Sequence, residues 1–228
     1  MMKPTLYYDD RSPPVRSCLL LIKILNIDVE LKFIDLFKGE QLKPEYVEIN
    51  PVHCVPFLEH NGITLTDSHA ILIYLCEQFD GGADWWPEDK LQRIDVINKL
   101  FLECSFLFRR DSDMMTEIVR KGFDNIDLPF HERKILEVYS ALEKNLSINR
   151  FMSGKKMSVA DLSFLTTLST VDLMFAITAE KWPRLNEWFE NMKQSLGATY
   201  TECNSIGLEK LKNIIEKMGK FKFPERSV

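Results

Sequence analysis

The chain has 228 residues, 45% of them hydrophobic and 28% charged, with 9 Gly and 10 Pro, a profile that excludes collagen-like, low-complexity and small disulfide-scaffold proteins. The length allows one large domain or two small ones. The formal net charge of -5 comes without a run of Lys or Arg, so nucleic acid and anionic membrane surfaces are not expected partners. The excess negative charge lies in residues 1–80, which hold 7 basic and 12 acidic side chains, and this asymmetry suggests a boundary near Asp80. The amino terminus reaches Asp9 and Asp10 before any apolar stretch develops and does not read as a signal peptide. The most apolar stretches, 18–27 and 162–179, are interrupted by Lys23 and Asp172 and fall short of the roughly 20 residues of a membrane span. Five cysteines without a C-x-x-C fit reduced, mostly buried thiols, and a cytoplasmic protein is expected.

Residues 5–8, TLYY, predict a strand that ends at Asp9-Asp10-Arg11-Ser12, where Ser-Pro-Pro opens a helix running to about Leu25. Val29, Leu31 and Phe33 then alternate with Glu30 and Lys32 as in a half-buried strand. After a connecting segment, 55–60 and 63–66 flank Asn61-Gly62, a strong hairpin signal. Asp67-Ser68 supply caps for a helix to about Phe79. The order βαβ, connector, ββα defines a first domain over 1–80, followed by a linker over 81–88 with its Gly81-Gly82 break. From residue 89 to 228 every segment has helical spacing, with helices at roughly 89–121, 130–146, 158–176, 183–196 and 206–218. Ser158-Val159-Ala160-Asp161 has the form of a capping box, with Met157 and Leu162 at the staple positions.

No P-loop, G-x-G-x-x-G, H-E-x-x-H or G-x-S-x-G is present, and the four histidines show no metal-ligand spacing with the cysteines. The polar residues that remain cluster at helix starts and special backbone positions. Ser12 opens the first helix, where the dipole favours an anion such as a thiolate; it also fits a plain N-cap, although Val15 stands where a capping box would want Glu. Val55-Pro56 precedes a strand at a turn suited to a cis bond, which would leave the Val55 backbone available to an extended ligand. Asp67 and Ser68 could hold an ammonium and a carboxylate, or simply cap their helix.

Taken in order and spacing, Ser12-Pro13-Pro14, the stretch Asn50-Pro51-Val52-His53-Cys54-Val55-Pro56, the pair Asp67-Ser68 and Ser158-Val159-Ala160-Asp161 resemble the cytosolic glutathione transferases of the insect delta and epsilon classes over nearly the whole chain. The resemblance implies an α/β domain of thioredoxin-like fold followed by an all-α domain, a homodimer, and glutathione as co-substrate without a metal. It implies that Ser12 hydrogen-bonds the glutathione sulfur and that Gln41 and His53 contact the glycyl end. Val55, held by Pro56, pairs with the cysteinyl backbone, and Asp67, Ser68 and His69 hold the γ-glutamyl end. Gln41 and His69 depart from the His and Arg common in delta-class relatives. A free thiol titrates at roughly 8.5, so lowering that value is the main task of such an enzyme, with Ser12 as hydrogen-bond donor and not as nucleophile or base.

The resemblance also places a pocket for a hydrophobic second substrate at Pro13, Leu36, Phe37, Phe108, Ser112, Met115, Val119, Thr170 and Leu208, types suited to a flat apolar ligand. In the long helix, Ile97, Phe101, Cys104, Phe108, Met115 and Ile118 form an apolar stripe in which Asp111 fills a gap. Its helical neighbours Leu107, Phe108, Met114 and Met115 offer no basic partner. Asp111 therefore either pairs with an arginine from a neighbouring helix or subunit, or accepts a hydrogen bond from a hydroxyl on a large apolar ligand such as a steroid. Three readings follow: an enzyme conjugating glutathione to an apolar or steroid-related substrate, a sterol carrier in which turnover is incidental, and a non-catalytic scaffold.

Overall fold

The structure, a computed structural model, describes residues 3–220 and Phe223, so the expected end of the second domain at residue 228 lies outside the described residues. Strand β1 (Thr5–Tyr8) is followed by α1 (Pro13–Ile24), which begins with two prolines whose missing N–H groups cost nothing in a first turn. Next come β2 (Glu30–Phe33), α2 (Pro44–Ile49), β3 (Phe57–His60), β4 (Ile63–Leu65) and α3 (Ser68–Gln78). The sheet order is β2-β1-β3-β4, with β1 and β2 parallel and the other pairs antiparallel. Asn61 and Gly62, both at positive φ, make the expected hairpin turn.

Two expectations change in this domain. The connector contains the short helix α2, and β2 is exposed at all four positions because it is an edge strand whose outer face nothing covers. Its Phe33 instead packs edge-on against Tyr8, with ring centroids 5.6 Å apart.

The segment between the domains is not a free tether. Trp86 is buried and donates from Nε1 to Glu77 at 2.7 Å, and Val159 N–H reaches back to the Trp85 carbonyl at 3.0 Å. A Cβ at Gly82 would come within 2.0 Å of the Cys76 carbonyl oxygen, so only glycine lets the chain turn back onto the preceding helix.

The helical domain comprises α4 (Lys90–Leu102), a π-helical stretch at Glu103–Phe108, α5 (Arg109–Lys121), α6 (Leu128–Leu146), α7 (Val159–Asp172), α8 (Pro183–Leu196), α9 (Ala198–Tyr200) and α10 (Ile206–Ile215). The predicted 89–121 helix is thus one helical run with a π insertion. The last helix begins earlier than predicted, at Ala198, and passes through a second π stretch at Thr201–Ser205. The apolar stripe predicted for the long helix is displaced by one residue in its first half. Phe101 is 69% exposed and Cys104 is exposed, while Val96, Leu100, Glu103 and Leu107 are buried, continuing through Asp111, Met114 and Ile118. The buried stripe contains two acids, and that composition disguised it.

One hydrophobic core runs through both domains, joining Leu20, Leu21, Ile71 and Leu72 to Leu107, Leu162 and Leu165. The five cysteines are unpaired; Cys18 and Cys76 are buried, Cys54 and Cys203 partly so, and Cys104 is exposed. Among the described residues no helix is long and apolar enough to cross a membrane.

Candidate active site

The loop between β1 and α1 is fastened from below. Asp9, fully buried, accepts from Arg11 N–H at 3.0 Å, Arg11 Nε at 2.7 Å and Leu36 N–H at 3.1 Å. Arg11 Nη2 also reaches Asp35 Oδ1 at 2.6 Å, and this guanidinium holds the Asp35 carboxyl down at about 2. The result is a fixed corner at which Ser12 enters α1 with φ -83° and ψ 125°. Its hydroxyl makes no capping bond to the helix it opens, so the plain N-cap reading of this residue does not describe the structure.

The loop before β3 is fixed in the same manner. Asn50, fully buried, donates to the Cys54 carbonyl at 2.9 Å and Tyr46 donates to it at 2.7 Å. Beyond that anchor the Val55–Pro56 peptide is cis, and the Val55 N–H and carbonyl have no hydrogen bond among the described residues. His53 sits at φ +46° with its ring nitrogen 3.1 Å from the Pro51 carbonyl. Gln41 has a buried Oε1 without a partner. Asp67 caps α3, accepting from His69 N–H at 2.9 Å and Ala70 N–H at 3.1 Å, both at Oδ1, with Ser68 buried in the first turn. An extended peptide with an amine, a free backbone edge and a carboxylate matches this arrangement of free polar groups.

His69 differs from the expectation. Its imidazole Nε2 lies 3.0 Å from Glu103 and 2.8 Å from Ser163, and Thr167 donates to the other Glu103 oxygen at 2.5 Å. The ring is committed to the helical domain as an interdomain link. Glu103, 3% exposed, is the residue that satisfies it, and an acid inside a helix gave no sequence signal for that role.

Ser12 also lines a cavity of about 290 Å³ between the domains, together with Pro13, Leu36, Phe37, Phe108, Asp111, Ser112, Met115, Val119 and Thr170. Leu208 is not in its wall: it is buried elsewhere, and Leu211, one turn further along α10, lines the cavity in its place. Arg11, Thr116 and Arg120 also line it and were not foreseen. Thr116 and Arg120 continue the four-residue spacing from Ser112, a signal the sequence did contain.

At one end of this cavity Asp111 is 2% exposed and has no hydrogen bond, its Oδ1 being fully buried. Burial pushes its carboxyl up to about 7; the Arg16 guanidinium draws it partly back, and Glu103 adds to the rise. Arg16 is not a salt-bridge partner within 4 Å. Its Nη2 donates to the Thr166 carbonyl at 3.0 Å and to Thr170 Oγ1, while Nε and Nη1 are unpartnered. Arg109 and Arg110 pair with Asp113 and Glu137. No cluster of His, Cys, Asp and Glu that could hold a metal ion occurs among the described residues.

Comparison with known proteins identifies the family. Residues 6–83 match the glutathione S-transferase N-terminal domain and residues 112–195 the C-terminal domain of that family. Glutathione S-transferase D7 of Anopheles gambiae is 33% identical over 216 residues, covering 92% of this chain and 95% of the relative. The solved structure of an epsilon-class glutathione S-transferase from the housefly Musca domestica superposes with a TM-score of 0.89 at 32% identity, covering 95% of this chain and 99% of its own. A glutathione transferase homologue from Drosophila mojavensis with bound glutathione gives 0.89 at 28% identity, covering 96% and 98%. With a small mixed sheet, a helical second domain and these matches along both, the chain belongs to the glutathione S-transferase family, with glutathione as its co-substrate.

Proposed function

We propose that this glutathione transferase activates the glutathione thiol through the Ser12 hydroxyl and takes a steroid- or sterol-related ligand in the adjoining pocket, acting in insect ecdysteroid hormone production. Asp111 carries the reading. A carboxylate that is buried, lacks any donor and lines an apolar cavity has a strong preference for a ligand hydroxyl, because leaving it unpaired costs several kcal/mol. The stretches 11–18, 65–73 and 103–113 resemble Noppera-bo, the epsilon-class glutathione transferase of fly steroid-hormone production, and support the choice of ligand.

Residues 1–80 hold glutathione in this reading. Gln41 and His53 meet its glycyl end, the free Val55 N–H and carbonyl its cysteinyl backbone, and Asp67 and Ser68 its γ-glutamyl end. Ser12 donates to the sulfur at the positive end of α1, which favours the thiolate; the released proton goes to solvent, and the sulfur forms its bond to an electrophilic carbon as a leaving group departs from that carbon with its electron pair. Leu91 and Phe101, 80% and 69% exposed on one helical run, support a homodimer in which a second subunit covers them.

The test is the initial rate of glutathione conjugation to a generic aromatic electrophile, with and without a hydroxylated steroid, for wild type and Asp111→Asn. The expected result is inhibition of the wild type, weakened about tenfold in the variant, the effect of replacing a charged acceptor by a neutral amide oxygen. Equal inhibition of both would make Asp111 structural and remove the steroid reading. Steroid binding without any turnover would favour a carrier.

A further inference from the structure

The cavity is electrically polar along its length. Asp111, Ser112, Met115, Thr116, Val119 and Arg120 of α5 line it, and at 3.6 residues per turn they sweep about half the helix circumference, with Asp111 and Arg120 at the two edges of that arc. Nine residues at 1.5 Å each separate Asp111 and Arg120 by about 13.5 Å along the axis. Asp111 is buried at one end, and Arg120 is exposed at the other.

The charges around Arg120 are already spent. On its own helix Asp113 is held by Arg109, and Glu117 by Lys121 and His131. Across the cavity, Arg11 is taken by Asp9 and Asp35. Arg120 itself forms no ion pair or side-chain hydrogen bond among the described residues. It is the unpaired cation of the cavity lining, about two and a half helical turns along the wall from Asp111, whose carboxyl has no hydrogen bond.

We propose that Arg120 is a specificity-determining residue that pairs with an oxyanion on the ligand, at the end remote from the hydroxyl held by Asp111. The ligand class is an extended apolar body carrying a hydroxyl at one end and a sulfate, carboxylate or phosphate at the other. A guanidinium suits such oxyanions because its fork donates two parallel hydrogen bonds. In its ionised form Asp111 repels an anion from the buried end, so the two groups fix the direction in which the ligand enters. The exposure of Arg120 makes the pairing salt-sensitive. This inference rests on the assignment of Asp111 as a hydroxyl acceptor.

The test compares a steroid diol with its monosulfate as inhibitors of glutathione conjugation, the sulfate being on the oxygen remote from the free hydroxyl. Wild type, Arg120→Gln and Arg120→Lys are measured at low and high salt. We expect the wild type to prefer the sulfate about tenfold at low salt, with the preference shrinking as salt rises. Arg120→Gln abolishes the preference, and Arg120→Lys keeps part of it. If the diol inhibits and the sulfate is no better, the Arg120 assignment is overturned while the steroid reading stands, and the guanidinium merely covers apolar wall with its stem. If neither steroid inhibits an active enzyme, the steroid reading falls, and an ω-hydroxy fatty acid measured against the corresponding diol decides Arg120 on its own: a preference for the acid that Arg120→Gln removes upholds the assignment, and no preference overturns it.

Discussion

Asp161 and Asp111 are both buried carboxylates of the helical domain, at 0% and 2% exposure, and their surroundings are opposite. Asp161 accepts from Met152 N–H at 2.9 Å, Ser158 N–H at 2.9 Å, Ser158 Oγ at 3.1 Å and Trp188 Nε1 at 3.0 Å, closing the capping box of α7. Asp111 accepts from nothing. Burial raises both, Asp161 to about 6 against its four donors and Asp111 to about 7. The same contrast separates two serines at helix starts. Ser158 is locked into the capping box of α7, its N–H and hydroxyl both donating to Asp161, whereas the Ser12 hydroxyl has no bond to the helix it opens. Where the fold supplies partners, a polar group is part of the scaffold; where it withholds them beside a cavity, the group is available for chemistry.

The most damaging way to break the contrast is Asp161→Ala, which strands four donors and uncaps a buried helix. We expect a loss of about 3–5 kcal/mol in chemical denaturation. A loss below about 1 kcal/mol would deny Asp161 its structural role. Next in size is the serine pair. Ser12→Ala should lower the conjugation rate about 100-fold, as removal of a donor to a developing anion does, with stability changed by less than about 0.5 kcal/mol. Ser158→Ala should cost about 1 kcal/mol of stability. Rates and melting curves on the two variants would expose the opposite pattern if it held.

The last effect has an unusual sign. The folded value of Asp111, about 7, lies above the ordinary value near ~3.9, so between those values the native state holds a proton that the unfolded chain has released. Stability therefore falls as pH rises through that window, and the penalty is complete above about pH 7. Asp111→Asn should raise stability by about 1–3 kcal/mol near pH 8 and by little near pH 4. The pH slope will be reduced without vanishing, because Asp161 is raised as well. Melting temperatures against pH would decide it, and a variant less stable than wild type near pH 8 would mean that Asp111 has a partner in solution.

Most of the framework was legible in local patterns: the paired prolines of α1, the Asn61-Gly62 turn and the Ser158–Asp161 box each specify structure within a few residues. Nine of the ten positions expected in a hydrophobic pocket line one cavity, and resemblance grouped them where no local pattern would have. The π stretches at 103–108 and 201–205 leave no periodic signature, and they change which side chains a helix presents. The first falls where the buried stripe holds Glu103, an acid that hydropathy assigns to the surface. The second precedes α10, where Leu211 took the place expected of Leu208. His69 misled for another reason: its partners Glu103 and Ser163 are distant in sequence, and nothing local announces a bond across two domains.

The two domains also meet backbone to backbone near the reaction centre. A Cβ on Gly207 of α10 would stand 2.0 Å from the Asp10 carbonyl oxygen, two residues before Ser12. The helix that walls the pocket and the corner that presents the serine thus have no side chain between them to yield. Enlarging the pocket by retracting α10 would draw that corner with it and detune the sulfur site. Room for bulkier ligands has to come from the opposite wall, at the exposed Val119, because Phe37 lies 4.6 Å from the Arg11 guanidinium that fastens the same corner.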